Sequence, residues 1–410
     1  MPRGGAGTGS GQPSECVRIL AARRRMGGVR KLRGRPGHGR SAAIESGGRR
    51  SGNGWTLSNY DDALERFHRV DLEYADGLAN HGPMGAEALE SLGHQALIPA
   101  FVDLYSPRLL MLEVGRPLGD AEAHASLGDV SRRGDWVATY EARLAGGDWR
   151  AVVASEVPPL LPGLFAGAGH GLLRVGHAVR GLEREDSVLR RHELARGLAH
   201  WAARYQTLPG LPGRGRFASP VELRTALADW PLVGEAELRK GLLLHAVARL
   251  EGFRAFAKVV EEVPLPTADS LDVYLGEICR AAAGLYLAQP QARIAYLHAL
   301  TIPSALRFLV PHLSAQDACR GAVHALQAFG ALHSIYGESQ ATPELDEEVV
   351  RVSQDWDEIR YHAARSIQEH SIKMTEACWR EDRNAPDPVF RRAAADAALK
   401  IDGRGQPSVC

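Results

Sequence analysis

The stretch "EEVVRVSQDWDEIRYHAARSIQEHSIKMTEACWRE", residues 347–381, decides the fold and poses the functional question. Its apolar residues recur at helical rather than strand spacing, and it predicts one long helix. On that helix His362, Ser366, Glu369, His370 and Lys373 fall on a single stripe, while Ile367, Ile372 and Met374 lie elsewhere. Two readings of the stripe compete. One is a solvated face with a Glu369–Lys373 pair, worth only ~0.3–0.5 kcal/mol. The other is the wall of a buried site. There a desolvated lysine can be neutral, and can hydrogen-bond a carbonyl or add carbon dioxide to become an anionic carbamate. Imidazoles joined by such an oxygen ligand suit iron, manganese or zinc.

The same helical texture extends outward in both directions. Ser58 followed by Asp61 marks a helix start, and "YDDALERFHRVDLEYADGLAN" places Ala63, Leu64, Phe67, Val70 and Tyr74 on one face. "HELARGLAHWAARYQTL", "AELRKGLLLHAVARLEGFRAFAKVV", "LDVYLGEICRAAAGLYLA" and "AQDACRGAVHALQAFGALHSIYG" are rich in Ala and Leu and poor in alternating β-branched residues. Pro and Gly punctuate them, and no fixed-period repeat is present. The expected fold is therefore all-α: a single large helical domain over residues 55–403 with a buried central site, followed by a tail at 404–410.

The chain of 410 residues is 45% hydrophobic, enough for a substantial core. Its zero formal charge is unevenly spread. Residues 1–54 hold 12 Lys/Arg against 2 Asp/Glu, leaving 37 against 47 for the remainder, a net −10. An acidic body argues against nucleic-acid binding. Residues 1–54 also contain 14 glycines, and predict a disordered extension. Of three readings (a basic nucleic-acid tail, a targeting segment, an upstream extension from a misassigned start), the last is favoured, since a secretory signal needs an apolar run that is absent. Five scattered cysteines without a CxxC pair suggest neither disulfides nor a zinc knuckle and fit a reducing, cytoplasmic setting. No uncharged apolar run of membrane-spanning length is evident, so no membrane partner is expected.

Sixteen histidines are the main chemical signal. His68, His94, His124 and His312 lie beside polar or turn residues and read as surface or capping groups. His81 in "NHGPMGAEAL", His170 in "AGAGHGLLRVGHA", His298 in "YLHALTIPSALR" and His370 in "EHSIK" sit in unusual contexts. Small residues around His81 and His170 permit close approach of backbone or ligand. Four histidines on four helices can converge inside a bundle, where helical proteins build metal sites, although each also has a hydrogen-bonded core alternative. "FAGAGHG" is not GxGxxG, and GxSxG, P-loop and HExxH motifs are absent.

"NHGPMGAEALESLG", "FAGAGHGLLRVGHAVRGLE", "YLHALTIPSALRFL" and "EHSIKMTEAC", in this order over residues 60–385, resemble the questin oxidase-like family. The resemblance implies a helical oxidoreductase, a mono- or dioxygenase without a flavin or dinucleotide domain. It would insert oxygen into, or open, a quinone or phenolic ring of a polyketide-type substrate, with oxygen as co-substrate. It also implies a non-haem iron (Fe2+) site of His81, His170, His298, His370 and carbamylated Lys373, with His362 in reserve and NADPH as a further cofactor. Lys373 and His370 would be the catalytic pair; Trp201, Tyr205 and Tyr336 are candidate wall residues, with core packing the favoured role for each. Two other classes remain: a metal-free, NADPH-dependent Baeyer–Villiger-type oxidoreductase, and a noncatalytic helical binding module. The oligomeric state is not readable.

Overall fold

The hydroxyl of Ser58 accepts a hydrogen bond from the Asp61 amide at 3.1 Å and starts the first helix of a computed structural model. The structure describes residues 58–75, 77–113, 115–215, 226–234, 239–338 and 346–401. The expectations for residues 1–54 and 404–410 lie outside the described residues.

Helices follow one another as α1 Asn59–Phe67, α2 Gly82–Ser91, α3 Ile98–Tyr105, α4 Asp120–Ala125, α5 Arg133–Leu144, α6 Trp149–Leu160, α7 His170–Arg184 and α8 Val188–Ala203. They continue as α9 Leu243–Ala248, α10 Arg254–Glu261, α11 Leu271–Ala288, α12 Arg293–Leu306, α13 Ala315–Tyr336, α14 Glu347–Val352, α15 Trp356–Ser366, α16 Glu369–Asn384 and α17 Pro388–Lys400. A two-residue antiparallel hairpin, β1 Glu73–Tyr74 and β2 Leu78–Ala79, is the one sheet among the described residues. The fold is thus all-helical, and Leu57–Cys410 forms one compact unit.

Three expected helices are broken. Residues 60–80 do not stay helical: α1 stops at Phe67 and the chain turns into the hairpin, with Ala75 and Gly77 at positive φ. The Asp–Gly dipeptide at 76–77 is a turn signal in the sequence that the 3.6-residue apolar spacing masks. Of residues 236–260, those from 239 on are described, and they divide into α9 and α10 around Gly252, at φ +87°. Residues 347–381 form three helices. Asp355 caps α15 by accepting from the Asp357 amide at 2.9 Å, and Ile367 sits in the left-handed region at φ +53° between α15 and α16. A β-branched residue there is strained, and is held by packing against the α1–α3 aromatic cluster.

Four helices enclose the centre in a cycle: α2 packs on α7, α7 on α12, α12 on α16 and α16 on α2. Glycines set their approach. A Cβ on Gly82 would stand 2.6 Å from the Phe67 ring, and one on Gly171 2.6 Å from the Trp201 Cα. Residues 290–312, which include α12, are long and apolar enough to cross a membrane by length and composition, but carry Arg293 and Arg307, and 72% of the window is buried inside the protein.

Gly171→Ala is expected to destabilise the fold by about 1–3 kcal/mol, because the clash is with helix backbone and not a pliable side chain. Gly284→Ala, in α11 with nothing within 4 Å of the added carbon, is expected to stabilise it by about 0.5–1 kcal/mol. Urea denaturation of both variants checks the opposite signs.

Candidate metal centre

His81 stands immediately before α2, where Pro83 occupies the first turn without wasting an amide. Its own amide donates to the Tyr105 hydroxyl at 2.7 Å, tying the start of α2 to the end of α3. His170 opens α7 after three successive left-handed residues, Gly167, Ala168 and Gly169 (φ +55°, +61° and +85°). That turn is the structural meaning of "FAGAGHG": it reverses the chain so that the imidazole faces inward. His298 lies near the middle of α12, and His370 and Lys373 lie in the first turns of α16.

These four imidazoles meet. Ring centroids are 4.5 Å apart for His81–His170, 4.9 Å for His170–His298, 5.8 Å for His298–His370 and 4.7 Å for His370–His81. One ring nitrogen each from His81, His298 and His370 lie within 4.8 Å of one another. His170 Nε2 is 2.8 Å from His81 Nε2 and 3.3 Å from His298 Nε2. His81, His170 and His298 are fully buried, while the His370 side chain keeps 13% exposure.

Burial pushes all four imidazoles down from their ordinary range, His298 to about 3, and the nearby Lys373 lowers each of them further. They are neutral at pH 7. Lys373 is 2% exposed and acts electrostatically on all four rings, so it faces the cluster and not water. Glu369 is ion-paired with Arg108 at 3.6 Å.

The donor chemistry fits a metal ion. His170 Nδ1–H donates to the Gly167 carbonyl at 2.5 Å and His298 Nδ1–H to the Ile294 carbonyl at 2.7 Å. Each bond fixes a tautomer whose Nε2 lone pair points into the cluster. Two Nε2 atoms that approach to 3.3 Å are placed for one cation to share. His81 Nδ1 is buried with no hydrogen-bond partner among the described residues, a further donor atom the protein alone leaves unused.

His362 does not belong to this cluster. Ile367 separates α15 from α16, so the continuous stripe does not exist; His362 is 27% exposed and lies 3.8 Å from Glu358. Of the wall candidates, Trp201 and Tyr336 are part of the main core and Tyr205 packs against it. Trp201 donates its indole N–H to the Gly163 carbonyl at 3.0 Å.

Surrounding residues escaped the sequence reading. Arg108 lies 4.6 Å over the Tyr105 ring and 6.0 Å over that of Tyr74, forming a polar aromatic rim beside His370. Behind the left-handed turn, Glu73 binds His200 at 3.1 Å and Arg204. Buried Glu87 on α2 pairs with His177 (2.6 Å) and Arg180 on α7, and Arg180 pairs with Glu376 on α16. One charge network thereby joins the three helices that carry His81, His170 and His370. Its sequence signal is the stripe His170, Arg174 and His177 along α7, polar residues on a buried face.

The chain matches the family model described as questin oxidase-like over residues 110–378. It belongs to the questin oxidase-like family. The match includes His170, His298, His370 and Lys373 and begins downstream of "NHGPMGAEAL", so His81 joins the family segment through the fold. No curated protein matches the chain.

Burial raises the Glu73 carboxyl, but hydrogen bonds from His200 and Arg204 outweigh it and hold the group down to about 2. A depressed carboxylate contributes stability that is complete above its unfolded value, near 4.3, and is lost as pH falls toward the folded value. Between pH 5 and 2, wild type should therefore lose on the order of 2–4 kcal/mol more than Glu73→Gln. Urea midpoints of the two proteins across that range check this.

Proposed function

We propose that this chain is an oxidoreductase of aromatic quinones or phenols. On this reading it is an oxygenase that inserts oxygen into, or opens, a ring at a non-haem iron site held by His81, His170, His298, His370 and Lys373. The convergence of four neutral imidazoles from four helices beside a buried lysine carries the proposal. Membership of an oxidase-like family supports the reaction class. A noncatalytic module has no need to gather four imidazoles and a lysine in its core.

Iron bound there would supply the redox chemistry that oxygen requires, since ground-state dioxygen reacts poorly with closed-shell aromatics. The protein supplies the rest. His170 and His298 present their Nε2 atoms because backbone carbonyls fix their tautomers. His370 is the ring nearest solvent, so a flat substrate enters on its side. There Arg108, whose side chain is 40% exposed, would pair with a phenolate or quinone oxygen while Tyr74 and Tyr105 line the mouth. Lys373 would act either as an amine or, after adding carbon dioxide and releasing a proton, as a carbamate oxygen ligand. Inserting one oxygen atom consumes two electrons from a donor, for which NADPH is the candidate; inserting both atoms consumes none.

Anaerobic loading is expected to give one tightly held iron per chain. Lys373→Ala and His298→Ala should each lower iron affinity by at least about 10–100-fold, the range for groups that support a metal site, with unchanged circular dichroism. Oxygen uptake with hydroquinone substrates should fall with the iron, and NADPH consumed per oxygen separates mono- from dioxygenation. A folded protein that takes up no iron, or a Lys373→Ala variant with full iron and activity, removes the proposal or the lysine from it. Carbamate formation is read separately, by a carbonyl signal in 13C NMR after exposure to 13C-bicarbonate that Lys373→Ala lacks.

A further inference from the structure

A second group of ligand-type side chains lies apart from the histidine cluster. His68 terminates α1, Glu141 lies on α5 and His192 on α8. One ligand atom from each lies within 4.8 Å of the other two. The His68 and His192 rings meet edge to face with centroids 4.5 Å apart, and His192 Nδ1 is 2.9 Å from a Glu141 carboxylate oxygen. We propose that His68, Glu141 and His192 bind a divalent transition metal, Zn2+ foremost, as a clip joining α1, α5 and α8.

Three observations carry this. Two imidazoles and one carboxylate are a complete set of protein ligands for a zinc ion with an open fourth position. His68 Nδ1 is buried and has no hydrogen-bond partner among the described residues, so a ligand atom is already desolvated and unused. The third observation is spatial: Glu141 and His192 form part of the wall of a cavity of about 270 Å³, completed by Leu144, Ala145, Val188 and Arg191, which gives a fourth ligand room.

Protonation is compatible. Burial, His192 and Arg196 lower His68, leaving its lone pair available, while the hydrogen bond from His192 holds Glu141 ionised. The Arg196 guanidinium donates to the backbone carbonyls of His68 and Val70. For His192 to ligate through Nδ1, its ring proton moves to Nε2 and the metal replaces the hydrogen bond to Glu141.

Zinc titration of the full chain by calorimetry tests the proposal, with Glu141→Gln and His192→Ala beside wild type and circular dichroism to verify folding. Wild type should bind one more zinc than either variant, and zinc should raise its melting temperature by more than theirs. Zinc-edge anomalous diffraction from wild-type crystals should place an ion between the three side chains. Equal stoichiometry and affinity in all three proteins, or no anomalous peak there at zinc saturation, overturns it. The outcome is independent of the proposed iron site: if that site binds nothing, wild type takes one zinc and the variants none.

Discussion

The two Nε2 atoms of His170 and His298 face each other at 3.3 Å in a desolvated core, with both Nδ1–H groups committed to backbone carbonyls. Much of the surrounding architecture maintains that close approach. Burial and the nearby Lys373 keep protons off both imidazoles, and His81 Nε2 stands 2.8 Å from His170 Nε2, within hydrogen-bond distance. Such an arrangement persists only if the scaffold over-determines it or if a cation completes it.

The scaffold does over-determine it. Glycines at 82 and 171 bring helices to distances that any larger residue would forbid. A left-handed turn at 167–169 aims His170, and a strained Ile367 restarts the chain so that α16 aims His370 and Lys373. Arg174 and Glu193, both buried, join α7 to α8 through two hydrogen bonds of 2.6 and 2.8 Å. The Glu87–Arg180–Glu376 chain then joins α2, α7 and α16. Buried ion pairs contribute little net stability, but an unpaired member is costly. They therefore fix the relative placement of helices better than apolar contacts alone, and these are the helices that carry three of the four imidazoles.

The helical class was legible because Ala- and Leu-rich segments repeat at 3.6-residue spacing, and the four histidines were legible as unusual because small residues surround two of them. Helix boundaries were less so. The Asp–Gly dipeptide in the sequence and the Asp355 cap are local signals that apolar periodicity overrides. The left-handed Ile367 has none, since only tertiary packing holds a β-branched residue there. That single residue is why His362 seemed to share a face with His370 and does not. Convergence of His81, His170, His298 and His370 has no sequence signature, because the ligands come from helices far apart in the chain. The Arg108–Tyr105 rim and the His68–Glu141–His192 group went unnoticed for the same reason.

Iron K-edge X-ray absorption of anaerobically iron-loaded protein tests the central claim most directly. The account predicts a first shell of nitrogen and oxygen only, with the outer-shell scattering of three to four imidazole rings. Iron without imidazole scattering, or with sulfur in its first shell, would contradict it.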